Sequence, residues 1–262
     1  MKYLVHDIET IPETEIAGDW TPAPQEIERA KPNDPFPPIY VHKVICIGLL
    51  ALDEALVPHK GGCAAGGAAG GKTEKEMIER WSIAASGKMF NGHPMKLVDW
   101  NGRGFDVPVL QTRAFRYGIQ LPWYFSQLPD NKGQISSYSR DYRDRYKGWH
   151  IDVADAWTNS GAFSRPHLAN LARLMGLPGK LGIDGSKVYA AYKLERFQEI
   201  DTYCMQDVFQ TAFIFQRFKY LRGDLELGSY REAATQLCDW IEKLPEHKEF
   251  FDQIDRAALL ME

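Results

Sequence analysis

Five short apolar segments constrain the fold of this chain most, because each has the length of a buried strand. They cover residues 3–5, 44–50, 55–58, 96–101 and 150–157. Residues 44–50 are rich in β-branched side chains, and residues 150–157 alternate between polar and apolar positions, as strands commonly do. These patterns predict the strands of one central sheet.

Helical periodicity accounts for much of the remaining sequence. Thr73 is placed to cap the start of a helix, and a second helix is predicted over residues 107–117. A helical period also runs through much of residues 187–221, and two amphipathic helices separated at Pro245 follow it. Strands and helices are interleaved, which predicts an α/β fold with a mixed sheet flanked by helices.

The 262 residues allow one large domain or one domain with an extension. We expect a domain over residues 1–222 and a helical extension over residues 223–262 that packs on it. Three segments interrupt the domain. They are a Pro-rich insertion (11–40), a Gly/Ala-rich linker (60–72) and a basic and aromatic insertion (130–150).

Composition excludes several classes of protein. Apolar residues make up 44% and charged residues 25%, which is typical of a globular domain rather than a disordered or collagen-like chain. The longest charge-free apolar run, residues 44–52, is too short to span a membrane, which takes about 20 residues. Asp7 and Glu9 lie where a signal peptide would be apolar, so secretion is not expected.

The cysteines and the net charge bear on the predicted location of the protein and on how it could contact nucleic acid. Four cysteines are scattered without a C-x-x-C pair, which predicts neither a zinc site nor a disulfide framework and fits a reducing, cytoplasmic location. The formal net charge of −4 provides no overall basic field. Any contact with nucleic acid must therefore be local.

Acidic residues occur in three informative positions. Asp7 and Glu9 lie at the end of the first predicted strand, where a period of two places both carboxylates on one face, with the residues about 7 Å apart along the backbone. Asp106 begins the helix after the 96–101 strand, and Asp207 lies one helical turn after Tyr203. Each is weak alone, since Asp106 could serve the helix dipole and the Tyr203–Asp207 pair could lie on the surface. Their order and context give the set its meaning.

The three segments read D-I-E-T, N-x-x-x-F-D and Y-x-x-x-D. They resemble the motifs of the DnaQ-like 3′–5′ exonucleases, which have a ribonuclease H-like fold, in the DEDDy variant with tyrosine in the last motif. The histidine variant would need His at position 202, where this chain has Thr202. Within that group, residues 1–220 resemble the predicted 3′–5′ exonucleases related to the proofreading domain of family B DNA polymerases.

This resemblance implies a site for two divalent cations, Mg²⁺ or Mn²⁺, with Asp7, Glu9, Asp106 and Asp207 as ligands. Asp7 would bridge both ions, Glu9 and Asp207 would complete the position that activates water, and Asp106 would hold the second ion. Tyr203 would orient the attacking water. Carboxylate oxygens are suitable ligands for these hard cations.

The resemblance also implies a substrate, nucleic acid with a free 3′ end. Thr10, Asn101 and Phe105 would contact the terminal nucleotide. Arg143 and Arg145 lie in the basic and aromatic insertion, a composition that suits single-stranded nucleic acid, although a solvated polar loop fits equally well. The expected activity is cleavage of single-stranded DNA to nucleoside 5′-monophosphates, with exoribonuclease activity as an alternative. The sequence identifies no replication or repair partner and no membrane contact.

Two further alternatives stay open. Residues 66–73 match the phosphate-binding pattern G-x-x-x-x-G-K-[ST], which could indicate a nucleotide-binding protein. However, polar residues precede and follow the match, whereas such a loop normally connects a buried strand to an apolar helix. The other alternative is a catalytically idle binding module with the same fold, which the presence of all four acids and the tyrosine disfavours.

Overall fold

The computed structural model describes residues 2–13, 15, 37–90, 92–125, 127, 134 and 141–262. Within them, five strands form one mixed sheet in the order β3–β2–β1–β4–β5. The strands are β1 (Tyr3–Pro12), β2 (His42–Leu52), β3 (Pro58–Cys63), β4 (Lys96–Asp99) and β5 (His150–Asp152). β1 and β3 each pair antiparallel with β2, whereas β1–β4 and β4–β5 are parallel pairs.

Helices cover the sheet, and their bounds are as follows: α1 (Glu74–Ala85), α2 (Asp106–Tyr117), α3 (Pro122–Phe125), α4 (Val153–Trp157), α5 (Leu168–Arg173), α6 (Val188–Lys193), α7 (Phe197–Leu221), α8 (Leu227–Glu242), α9 (Lys248–Asp252) and α10 (Arg256–Leu260). Among these helices, none combines the length and apolar character that crossing a membrane requires.

The central strands are buried on both faces, with a different helical layer on each. Val5 and Leu50 belong to the core cluster that includes residues of α7 and α8. Their neighbours Leu4 and Leu49 point the other way, into the cluster with α1 and α2. This alternation follows from the period of two along a strand. It explains why β2 has a nearly continuous apolar sequence.

The prediction of an α/β fold with a mixed sheet flanked by helices is confirmed, and C-terminal helices follow α7. Tyr230, Leu237 and Ile241 of α8 share a core cluster with Val5 of β1. The proposed division at residue 222 therefore separates segments that pack together, and it stays a prediction about folding units.

Local signals for helix ends are also confirmed. Thr73 caps α1 in a capping box, in which its side chain accepts from the Glu76 amide and the Glu76 carboxylate accepts from the Thr73 amide. Gly118 follows α2 with φ of +65°, a conformation that glycine adopts without strain. These two residues fix the ends of the helices that cover one face of the sheet.

Several boundaries differ from the sequence prediction. Residues 60–63, assigned by composition to the flexible linker, belong to β3 because their backbone pairs with β2. The strand predicted over residues 150–157 ends at Asp152, whose side chain accepts from the Asp155 amide and starts α4. The long helical period is interrupted between α6 and α7 at Glu195, where φ is +55°.

The predicted insertions are only partly covered by the structure. Of the Pro-rich segment 11–40, residues 14 and 16–36 lie outside the described residues, while Ile11 and Pro12 continue β1. Residues 130–133 and 135–140 of the basic insertion also lie outside them.

Candidate active site

β1 carries the first two acids. The sequence predicted that Asp7 and Glu9 lie at the end of this strand. They lie within it instead, because β1 continues to pair with β2 as far as Pro12. A register shift between Glu9 and Thr10 interrupts this pairing immediately after the acids. Carboxylate oxygens of Asp7 and Glu9 lie within 4.8 Å of each other and of the Cys204 sulfur. Glu9 is only 7% exposed, whereas Asp7 is half-buried.

Helix α7 brings Tyr203 and Asp207 to the same place. It packs against β1 and β2 across Gly48, where an added Cβ would lie 2.8 Å from Val208 Cγ2. Tyr203 is buried, and its hydroxyl lowers the pKa of the nearby Asp207 carboxyl. Gln210 Nε2 donates to Asp207 Oδ1, at 3.1 Å. The hydrogen bond from Gln210 holds the Asp207 side chain in a defined orientation.

The fourth acid, Asp106, is the first residue of α2 and is buried. A tight loop precedes it, in which Asn101 has φ of +69°. The Asp152 carboxylate holds this loop by accepting from the Asn101 amide (2.9 Å) and the Arg103 amide (3.1 Å). Asp152, which the sequence analysis left out of the site, is thus the residue that positions the second motif.

The charges of the other acids act on the pKa values of Asp7 and Glu9. Burial raises the pKa of Asp7 well above its ordinary value, and the charges of Asp106, Glu9 and Asp207 raise it further. Burial, followed by the charges of Asp207 and Asp106, does the same to the pKa of Glu9. The structure therefore brings together all four acids that the sequence selected. Without cations they repel one another and retain protons.

The other two acids have less extreme values. Burial raises the pKa of Asp207 to about 6, although the Tyr203 hydroxyl and the charge of Lys180 oppose the change. Burial and the charge of Asp99 raise the pKa of Asp106 to about 7. Both carboxyls change protonation state near neutral pH, which is common at functional sites.

Tyr203 remains protonated throughout the physiological range. Burial raises the pKa of its phenol, and the negative charges of Asp207, Glu9 and Asp7 raise it further. The side chain is therefore a hydrogen-bond donor in this site rather than a base.

Lys180 is a residue that the sequence analysis missed. Its charge acts on the pKa of both Glu9 and Asp207, lowering each, while the side chain itself is exposed. Along the sequence it lies in the Gly-rich connection between α5 and α6, outside all three motifs. No spacing rule points to a single lysine in such a segment, so only the fold reveals it.

Thr10 and Phe105, two of the predicted substrate-binding residues, both contact His42. Thr10 Oγ1 lies 2.8 Å from His42 Nδ1, and the His42 ring packs edge-on against the Phe105 ring with centroids 4.9 Å apart. His42 is buried at the start of β2. Thr10 and Phe105 are therefore held in a common arrangement beside the acids, with Phe105 partly exposed.

The third substrate-binding candidate, Asn101, lines a cavity of about 370 Å³ together with Arg145. Arg145 Nε also lies 3.4 Å from Asp155 Oδ2. Arg143 is exposed and stacks over the Phe125 ring at 5.5 Å, and it is not among the described residues that line this cavity. Of the two arginines, the structure thus places only Arg145 beside Asn101.

A buried cluster of one aspartate and two histidines lies next to the site. Asp99 Oδ2 lies 2.6 Å from His150 Nε2 and 3.1 Å from His6 Nε2. Burial opposes its ionisation, but the two imidazoles hold the pKa of the Asp99 carboxyl well below its ordinary range. His6 is therefore a buried residue that packs against Asp99. The negative charge of Asp99 acts directly on Asp106.

The phosphate-binding match over residues 66–73 has the wrong local structure. The amides of Ala68 and Ala69 already donate to the Asp201 carboxylate, at 2.7 and 2.9 Å. Thr73 is engaged in the capping box, and Glu74, the first residue of α1, is buried against Arg113. The loop amides that would bind a phosphate therefore bind an internal carboxylate instead. This disfavours the nucleotide-binding alternative.

The mixed sheet, the helices on both its faces and the C-terminal helices are compatible with a ribonuclease H-like exonuclease fold. Residues 34–257 match a family described as predicted 3′–5′ exonucleases related to the exonuclease domain of PolB. The chain belongs to this family, which makes it a predicted hydrolase of nucleic acid. The match includes Asp106, Tyr203 and Asp207, while Asp7 and Glu9 precede it. No curated protein matches the chain significantly.

Proposed function

We propose that this protein is a metal-dependent 3′–5′ exonuclease that shortens single-stranded DNA and releases nucleoside 5′-monophosphates. One observation carries the proposal: Asp106 of α2 and Asp207 of α7 lie close enough to Asp7 and Glu9 of β1 for their charges to raise the pKa values of both β1 acids. Such a concentration of negative charge is costly without cations, so a role in cation binding accounts for it.

The donor set fits two Mg²⁺ or Mn²⁺ ions. All four ligands are carboxylates, and Asp7 and Glu9 already have oxygens within 4.8 Å of each other. In the proposed arrangement Asp7 would serve both ions, Glu9 and Asp207 would help to hold one of them, and Asp106 would help to hold the other. When bound, the ions supply positive charge that stabilises the attacking and leaving oxygens of the phosphodiester.

The remaining side chains control protons and orientation. The Tyr203 phenol is protonated and lies beside Asp207, so it can donate to the attacking water and hold it in line with the phosphorus. Lys180 lowers the pKa of Glu9 and of Asp207, which partly offsets the increase that burial causes at both carboxyls. Neither residue needs to change its charge during cleavage.

The 3′ end of the substrate is proposed to lie against Thr10, Asn101 and Phe105. The Phe105 ring offers a surface for stacking a terminal base, and Arg145 in the Asn101 cavity can pair with a backbone phosphate. Arg143 is proposed to contact the strand further from the cut. A single strand suits this arrangement because stacking needs an unpaired base. A cytoplasmic location is proposed on the basis of the free cysteines.

The experiment uses 5′-labelled single-stranded DNA and RNA of the same sequence, incubated with and without Mn²⁺. We expect a ladder of DNA products shortened from the 3′ end only when Mn²⁺ is present. Asp207→Asn should abolish the ladder, whereas Asp224→Asn should not, because Asp224 is exposed, lies outside the three motifs and pairs with Lys219. Faster shortening of RNA would assign an exoribonuclease. Internal cuts, or no cleavage of either strand, would contradict the proposal.

A further inference from the structure

A second group of potential ligands lies next to the acid cluster. Cys46 of β2 and Cys63 of β3 have their sulfur atoms 3.4 Å apart. A carboxylate oxygen of Asp201, from α7, completes a set of three donor atoms that all lie within 4.8 Å of one another. In the sequence these residues are far apart, which is why the cysteine spacing predicted no metal site. Strand pairing and the packing of α7 bring them together.

The carboxylate in this group is held in place. Asp201 accepts from the Ala68 and Ala69 amides, and Gly67 allows the loop to approach it, since an added Cβ there would lie 2.2 Å from Asp201 Oδ1. Each carboxylate oxygen has two lone pairs, so these two bonds leave it able to accept further ligands. An ordered carboxylate beside two thiols is a preorganised ligand set.

A cavity gives solvent and ions access to the group. Its volume is about 200 Å³, and Cys63, Asp201 and His247 are among the residues that line it. His247 is only 3% exposed, and its Nδ1 atom has no hydrogen-bond partner within the described part of the chain. A buried nitrogen left without a partner calls for an explanation, and a ligand or ordered solvent in the cavity would supply one.

The spacing of the sulfurs suits a metal ion. Zinc–sulfur bonds are about 2.3 Å long, so two thiolates on one tetrahedral ion lie about 3.8 Å apart. The sulfurs of Cys46 and Cys63, at 3.4 Å, need to separate by only a few tenths of an ångström to reach this distance. Thiolates also select softer cations than the all-carboxylate cluster does.

We propose that Cys46, Cys63 and Asp201 form a binding site for a thiophilic divalent cation such as Zn²⁺, separate from the acid cluster. Binding forms two metal–sulfur bonds and one metal–oxygen bond, and the two thiol protons leave to solvent without any change of oxidation state. The site connects β2, β3 and α7. Cys204, whose sulfur lies 3.8 Å from Asp7 Oδ2, also interacts with Cys46 and so links it to the acids.

The test is a Co²⁺ titration of the reduced, metal-free full chain, with a phosphine as reductant. Cobalt bound to thiolates absorbs in the near ultraviolet through sulfur-to-metal charge transfer, whereas cobalt bound only to carboxylates does not. We expect this band to saturate at one ion per chain and to disappear when Zn²⁺ is added. A hundredfold excess of Mg²⁺ should leave it unchanged.

Matched variants assign the band to its ligands. Cys63→Ser, at the more accessible thiol, should abolish it, and Asp201→Asn should weaken Co²⁺ binding at least tenfold. Cys238→Ser, which removes a buried thiol of α8, should leave it intact. Asp7→Asn should also retain it, so this test is independent of nuclease activity. Absence of the band in the wild type, or its persistence in a folded Cys63→Ser protein, would overturn the proposal.

Discussion

Asp7 and Gly48 are cross-strand partners in the antiparallel pair of β1 and β2. The missing side chain at Gly48 is what allows α7 to approach the acid on the neighbouring strand. A Cβ at this position would lie 2.8 Å from Val208 Cγ2 and 3.1 Å from the Cys204 sulfur. The distance between the first and third motifs is therefore set by a glycine that belongs to neither of them.

Replacing Gly48 should test this relationship. Gly48→Ala should displace α7, lower stability by about 1–3 kcal/mol, the usual cost of overpacking, and reduce cleavage more than the loss of folded protein explains. Gly185→Ala is the matched control, because an added Cβ there meets nothing within 4 Å. The measurements are the free energy of unfolding in urea and the cleavage rate. Equal values for the two variants would show that Gly48 does not control the position of α7.

The stability of the metal-free protein should fall as pH rises toward neutrality. Asp106 and Asp207 have ordinary pKa values of 3.8, raised in the folded protein to about 7 and about 6. The folded state thus binds protons more tightly than the unfolded state, and the stabilisation this provides is lost as pH rises through 4–7. Melting temperatures measured with a chelator between pH 5 and pH 8 should show the decline.

Two comparisons assign that decline to the acid cluster. A pKa that folding raises by one contributes about 1.4 kcal/mol to the free energy of unfolding. A domain of this size shifts in melting temperature by roughly 2–4 °C per kcal/mol. Asp106→Asn should therefore flatten the decline by several degrees, and Mg²⁺ should raise the melting temperature most at pH 8. A melting temperature that increases steadily from pH 5 to pH 8 without metal would contradict this account.

Removing Lys180 should raise the pKa of the acids that it faces. Its charge lowers the pKa of Glu9 and Asp207, so both carboxyls of Lys180→Ala should hold their protons to higher pH. Carbon-13 NMR titration of the metal-free protein measures this directly. Lys187→Ala is the control, since Lys187 pairs with Asp184 outside the cluster. If Asp207 titrates identically in all three proteins, Lys180 has no electrostatic role in the site.

Charge reversal of the basic segment should weaken nucleic-acid binding. Arg143→Glu and Arg145→Glu together should reduce affinity for single-stranded DNA and flatten its dependence on salt, because fewer counterions are released. Of the two single variants, Arg145→Glu should reduce affinity more than Arg143→Glu does, because Arg145 lines the Asn101 cavity. Arg256→Glu serves as a control at an exposed arginine that pairs with Asp239. Unchanged affinity of the double variant would remove this segment from the proposed substrate path.

The sequence was most informative where a local rule decides the structure. The alternation of Leu4 and Val5 between two core clusters follows from strand geometry, and Thr73 and Gly118 fix helix ends through their own backbone conformations. The spacing within the first and third acid motifs likewise reflects a strand and a helix, respectively. These features could be predicted because they depend on neighbours within one helical turn or one strand.

Features that depend on distant segments could not be predicted in this way. Residues 60–63 look flexible by composition, yet pairing with β2 makes them a strand. Lys180 and Asp152 serve the site from segments without any motif, and the Cys46–Cys63 pair exists only because β2 and β3 are neighbours. In each case a long-range contact assigns the role, and a single sequence carries no signal for that contact.

The central claim is that the four acids hold divalent cations, and calorimetric titration with Mn²⁺ tests it most directly. We expect two ions per chain at the acid cluster, measured in Cys63→Ser so that the thiol site does not contribute. Asp7→Asn in the same background should lose at least one of them and weaken the other, because Asp7 is proposed to bridge the pair. A protein that binds no Mn²⁺, or that binds it equally well after Asp7→Asn, would contradict the account.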